Sequence, residues 1–135
     1  MPVELARIDV NGIDRIAPFL EEALVKGGGI RDWTMDDVRQ MAADNELDLW
    51  ELRSGGKIFG GAVSVLRSFP RRIAFDILLL GTYPHRDEEL MVVLGLVKDV
   101  ARLVGATTIS GTGRPGWARM LKAVERRVFE IEVTP

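Results

Sequence analysis

The stretch that most constrains this chain is Phe75-Asp76-Ile77-Leu78-Leu79-Leu80, an almost unbroken apolar run with turn residues on both sides. Phe69-Pro70-Arg71-Arg72 precedes it and Gly81-Thr82-Tyr83-Pro84 follows it. A short apolar run between turns is the pattern of a central strand buried on both faces, here spanning residues 73–80. Such a strand needs partners in its sheet and helices above and below it. The next segment supplies one. Asp87-Glu88-Glu89 opens a long helix to about residue 104, with acids in the first turn where the helix dipole favours them. Its apolar positions cover more than one stripe, so most of it is buried. Gly105 ends the helix, and residues 106–111 read as a further strand. A strand–helix–strand unit implies a parallel pair.

Before the run, residues 2–10 read as a short strand that Asn11-Gly12 breaks. Ile13, Ile16, Ala17, Leu20, Ala23 and Leu24 then recur at helical spacing, with Pro18 placed to fall early in the helix or kink it. Gly27-Gly28-Gly29 stops that element. Thr34 is a good N-cap, Asp37 completes a capping box, and Trp33 is placed to pack on Val38, so residues 35–43 form a short helix. Residues 47–53 and 58–66 make a hairpin across Ser54-Gly55-Gly56-Lys57. Gly60-Gly61 in its second strand signals a bulge or a close approach of other backbone. Late in the chain, Pro115 starts a short helix striped by Trp117, Met120, Leu121 and Val124. Residues 129–133 alternate as a last strand. The order is β-α-α-β-β-β-α-β-α-β. This is an α/β chain with a mixed sheet and helices on both faces, read as one domain over residues 1–135.

Composition removes whole classes of chemistry. The chain has no cysteine and one histidine, His85, which leaves no material for a disulfide framework, a thiol nucleophile, a Ser-His-Asp triad or a metal site. A net charge of −2 argues against a broadly cationic nucleic-acid binder. No apolar run reaches the ~20 residues that span a bilayer. The first ten residues carry charges where a secretion signal is apolar, so a cytoplasmic location is expected.

This element order resembles the GNAT fold, that of the acetyl-CoA-dependent N-acyltransferases. The C-terminal half is similar to small GNAT-like proteins of tailed phages and prophages. Those proteins carry a G-R-x-G-W segment before their last helix, matched here by Gly113-Arg114-Pro115-Gly116-Trp117. The resemblance implies phage structural or host proteins as partners, in the host cytoplasm or the virion. An exposed edge strand, such as residues 129–133, also invites pairing with a second copy.

The resemblance further implies a site. In GNAT proteins a Q/R-x-x-G-x-G/A loop cradles the pyrophosphate of the cofactor, and Arg86 takes its first position. Glu89 and Met91 fall where glycines belong, and Asp87 and Glu88 add negative charge that repels a phosphate. The end of the central strand holds pantetheine and the acyl carbonyl, which assigns cofactor binding to Leu79, Leu80 and Gly81 alongside Arg86. Family members often carry a catalytic tyrosine in N-x-x-A-x-x-L-Y. Here Arg114, Trp117, Met120 and Leu121 stand in that segment, with Leu121 in the tyrosine's place. Tyr83 is the only tyrosine and lies in another loop. No residue is assigned as catalytic. Asp76 and Glu51 are carboxylates of the ordinary paired or solvated kind before they are bases. His85 reads as a plain loop residue, and Arg71-Arg72 and Arg126-Arg127 as solvated turns. The expected function is a GNAT-fold binding or virion-associated component whose acetyl-CoA loop has degenerated and which uses no cofactor. The alternative is an acetyl-CoA-dependent N-acyltransferase acting on an amine.

Overall fold

A computed structural model describes residues 2–26, 32–111 and 131. The last helix and last strand read from the sequence, with Arg114, Trp117 and Arg126-Arg127, lie outside these residues. In chain order the elements are β1 (Val3–Ile8), a 3-10 turn (Val10–Arg15), α1 (Ala17–Lys26), α2 (Met35–Ala43), β2 (Asp48–Ser54), β3 (Lys57–Phe69), β4 (Arg72–Thr82), α3 (Asp87–Leu103) and β5 (Thr108–Gly111). The strands form one sheet in the order β1-β2-β3-β4-β5. The first four pair antiparallel, and β5 joins β4 in parallel through the α3 crossover.

Local signals fix most of these elements. Thr34 Oγ1 accepts from the Asp37 N–H at 3.1 Å, and Asp37 accepts from the Thr34 N–H at 2.9 Å, which closes the capping box. Pro18 is the second residue of α1, where its missing N–H costs nothing. The β2–β3 turn places Gly55 and Gly56 at φ 59° and 80°, the left-handed pair that a two-residue hairpin requires. Side chains alternate across the sheet into two cores. Ile16, Leu20, Val38, Leu49, Val63 and Leu79 pack under α1 and α2. Trp50, Leu52, Phe75, Val93, Val97 and Ala101 pack under α3 on the opposite face. The mixed sheet with helices on both faces is therefore as the sequence implies.

Gly61 and Gly81 face each other across β3 and β4. A Cβ on Gly61 would stand 2.6 Å from the Ile16 Cβ, and one on Gly81 would overlap the Phe19 carbonyl. The two glycines make a bare seat on which the start of α1 rests. This pairing also carries β4 through Thr82, past the residue-80 limit read from the apolar run. The Gly60-Gly61 signal has both of its meanings here. Pairing with β2 steps from Leu52↔Gly60 to Arg53↔Ile58, so Phe59 is bulged out.

Two glycine substitutions separate the seat from ordinary helix propensity. Gly81→Ala is expected to destabilise the fold by about 3 kcal/mol, because the carbonyl it meets is backbone and cannot rotate away. Gly95→Ala, on the exposed face of α3 with nothing near its Cβ, is expected to stabilise by about 1 kcal/mol. Urea unfolding followed by circular dichroism reads both.

Candidate functional site

The end of β4 carries a bulge next to its last described parallel pair. Pairing with β5 runs from Ala74↔Thr108 to Ile77↔Gly111 and stops there among the described residues. On the other side, the β3 register steps from Ser64↔Ile77 to Val63↔Leu79, so Leu78 is an extra, bulged residue. The bulge falls at the first position past the last parallel pair. Leu78, Leu79, Leu80 and Gly81 thus present backbone N–H and C=O groups on the β5 side of β4 without a described strand partner. This β4–β5 fork, the stretch of β4 past its last described parallel pair, holds the residues that the resemblance assigns to the cofactor arm.

The side chains of these residues are otherwise engaged. Leu79 belongs to the α1–α2 core, Leu80 packs toward α3, and Gly81 seats α1. Past Gly81, the Tyr83 ring meets the Phe19 ring edge-on at 4.9 Å. The Tyr83 N–H donates to the carbonyl of the bulged Phe59 at 2.9 Å. His85 follows in the left-handed region at φ 64°, an exposed turn residue.

Arg86 is the N-cap of α3, yet its side chain makes no cap hydrogen bond. Its guanidinium donates to Glu89 Oε1 at 2.8 Å and lies 5.6 Å from the centre of the Phe59 ring. Its charge is therefore satisfied within the protein by an ion pair and a cation–π contact. The Arg86 hydrogen bond, then the Ser54 hydroxyl acting from farther away, hold the Glu89 carboxyl below the ordinary range despite some burial. Glu89 Oε2 is shielded from solvent with no close hydrogen-bond partner among the described residues. Asp87 and Glu88 stand exposed in the same first turn.

Both carboxylates raised as bases are paired. Asp76, one residue before the last parallel pair, accepts from Arg67 Nε on β3 and from Ser110 Oγ on β5. Its side chain keeps 15% exposure. Glu51 is fully buried on the α1 face and accepts from Arg15 and Arg53. Gly12 leaves room for the Arg15 guanidinium, since a Cβ there would stand 2.6 Å from Nη2. Burial pushes the Glu51 carboxyl up, but the hydrogen bonds and charges of Arg15 and Arg53 outweigh it and lower its pKa. The basic pair Arg71-Arg72 sits at the β3–β4 turn, where Arg72 stacks on Phe69 and donates to Thr108. The sequence missed the Leu78 bulge and the Arg15–Glu51–Arg53 cluster. Neither leaves a local signal, apart from Gly12, which makes room for Arg15. Among the described residues, no helix is long and apolar enough to cross a membrane, and no group of three or more His, Cys, Asp or Glu could hold a metal ion.

No family model and no curated protein matches this sequence. Solved structures do. A possible acetyltransferase from Clostridium difficile 630 superposes with a TM-score of 0.72 at 12% identity, covering 100% of both chains. A predicted acetyltransferase with acetyl-CoA from Clostridium acetobutylicum gives 0.70 at 14% identity, over 98% of this chain and 96% of that one. A ribosomal-protein-alanine N-acetyltransferase from Brucella melitensis biovar Abortus 2308 gives 0.68 at 14% identity, over 98% and 99%. This chain has the GNAT acetyltransferase fold. Identities this low establish the fold alone, so the chemistry rests on this chain's own residues.

The Glu51 cluster has a pH signature. A carboxyl whose folded pKa lies below its unfolded value adds stability above the unfolded value and loses it as pH falls through the folded one. The ordinary value is 4.5 and the folded one is lower, so the loss falls below pH 4.5. Glu51→Gln is expected to cost about 2 kcal/mol at pH 7, as a charged hydrogen-bond acceptor is lost. It should cost progressively less in more acidic solution. A constant difference between the two proteins from pH 7 to pH 3, measured by denaturant titration, would contradict the assignment.

Proposed function

We propose that this chain is a GNAT-fold acyltransferase that moves an acyl group from a pantetheine thioester to an amine. The observation that carries the reading is the bulge of β4 at Leu78, beside the strand end to which the GNAT resemblance assigns the thioester arm. The amine class follows from the similar folds, one of which is an N-acetyltransferase by name.

The chemistry asked of the protein is modest. The acyl carbon–sulfur bond breaks and a carbon–nitrogen bond forms. The amine gives up a proton, and the leaving thiolate takes one up. The backbone of Leu79, Leu80 and Gly81 orients the thioester arm. Asp76, at the throat of the fork and partly exposed, accepts the amine's proton, with Arg67 and Ser110 holding its carboxylate in place. The group that protonates the thiolate is not among the residues this geometry assigns.

A second reading is a GNAT-fold component that binds phage structural or host proteins without catalysis. It is favoured by the engagement of Arg86 with Glu89 and Phe59, which withdraws the expected phosphate ligand. The two readings part in a thiol-release assay with acetyl-CoA and S-acetyl-pantetheine as donors and a panel of primary amines. The acyltransferase reading expects amine-dependent thiol release. It expects Asp76→Asn to lower kcat about 100-fold, the usual scale for a proton acceptor. No release from folded protein with either donor supports the binding component.

A further inference from the structure

The sheet face that carries Asp76 continues along β4 toward the β3–β4 turn. Arg72, Ala74 and Asp76 alternate on β4 and so share one face. The register places Arg67 and Phe69 of β3 on that face, with Thr108 and Ser110 of β5. Their contacts are continuous. Arg67 and Ser110 donate to the two oxygens of Asp76. Arg72 donates to Thr108 at 3.1 Å and stacks on Phe69. This end of the face is open: Phe69, Arg72 and Thr108 are exposed, and the Arg67 side chain keeps 51% exposure.

The charge along this face is of one sign. The sequence has no acid between Glu51 and Asp76, whereas Arg67, Arg71 and Arg72 all fall around the β3–β4 turn. Asp76 compensates Arg67. Arg72 bonds only an uncharged hydroxyl, and Arg71 stands exposed, so two positive charges have no ion-pair partner among the described residues. Arginine forks are well matched to carboxylates. Four residues of strand separate Arg72 from Asp76, about 13 Å at roughly 3.3 Å per residue. A free amino acid is too short for that span, and an extended peptide covers it in about four residues.

Resting on the acyltransferase reading above, we infer that the acceptor is the amino terminus of an extended peptide with acidic side chains near its fourth residue. Its amine meets Asp76, and the chain runs along the open face toward the turn. Arg71 and Arg72 take the carboxylates and set the specificity. A peptide with basic side chains at those positions is repelled.

The test is a thiol-release assay with acetyl-CoA and S-acetyl-pantetheine as donors and three matched hexapeptides as acceptors. They carry glutamate, glutamine or lysine at the fourth and fifth positions and are otherwise free of amines beyond the terminus. The inference expects kcat/KM for the glutamate peptide to exceed that for the glutamine peptide about tenfold, the scale of one charge-assisted hydrogen bond. The lysine peptide should be the poorest, and added salt should narrow the differences. A double variant, Arg71→Gln with Arg72→Gln, should bring the glutamate peptide down to the glutamine peptide's kcat/KM, with the loss in KM. Arg71→Lys with Arg72→Lys, which keeps the charge, should restore most of the preference. Circular dichroism checks the folding of both. Equal turnover of the three peptides, or a preference that survives in the glutamine double variant, overturns the inference and leaves the acyltransferase reading standing. Release with no acceptor from either donor, primary amines included, overturns the reading itself.

Discussion

The seat at Gly61 and Gly81 is the contact on which the placement of the site depends. Two glycines opposite each other let Ile16 and the Phe19 carbonyl rest directly on the sheet. With α1 fixed there, Phe19 reaches the Tyr83 ring, and Tyr83 bonds the bulged Phe59 through its backbone. Phe59 in turn carries the guanidinium of Arg86 on its face. A continuous chain of contacts thus runs from the first helix to the start of α3. It sets how β4 leaves the sheet and where the first turn of α3 points.

At the end of β4 and at the start of α3, backbone and side chains play different parts. The side chains of Leu79 and Leu80 are consumed by packing, and the bare Cα of Gly81 seats α1. At the α3 start, the helix N-terminus favours an anion, and Asp87, Glu88 and Glu89 oppose one. The first arrangement persists as long as the bulge and the register persist. The second depends on four consecutive residues.

Much of the fold was legible because its signals are local. The Thr34–Asp37 box, the Gly55-Gly56 turn and the apolar run of β4 each specify their element within a few residues. Gly60-Gly61 announced an irregularity and a close approach, and both are present. The rest was not legible because it depends on register or on distant pairs. Apolar content cannot reveal that Leu78 is bulged, since the bulge is a mismatch between two strands. Glu51 finds Arg15 across 36 positions of sequence, and nothing around either residue signals the other. Gly81 read as the close of a strand and a cofactor contact, whereas its bare Cα serves a helix more than sixty residues away. Asp76 read as an ordinary paired or solvated carboxylate, and its partners Arg67 and Ser110 lie on the two neighbouring strands.

The most direct test of the central claim is a nitrogen-resolved NMR titration of the labelled chain with S-acetyl-pantetheine. If the fork is the donor site, the amides of Leu78, Leu79, Leu80 and Gly81 shift first, together with those of Ser110 and Gly111 at its throat. The groove between β1 and the end of α3, lined by Val3, Leu96 and Leu103, stays unchanged. Shifts confined to that groove, or none at millimolar donor, would contradict the account.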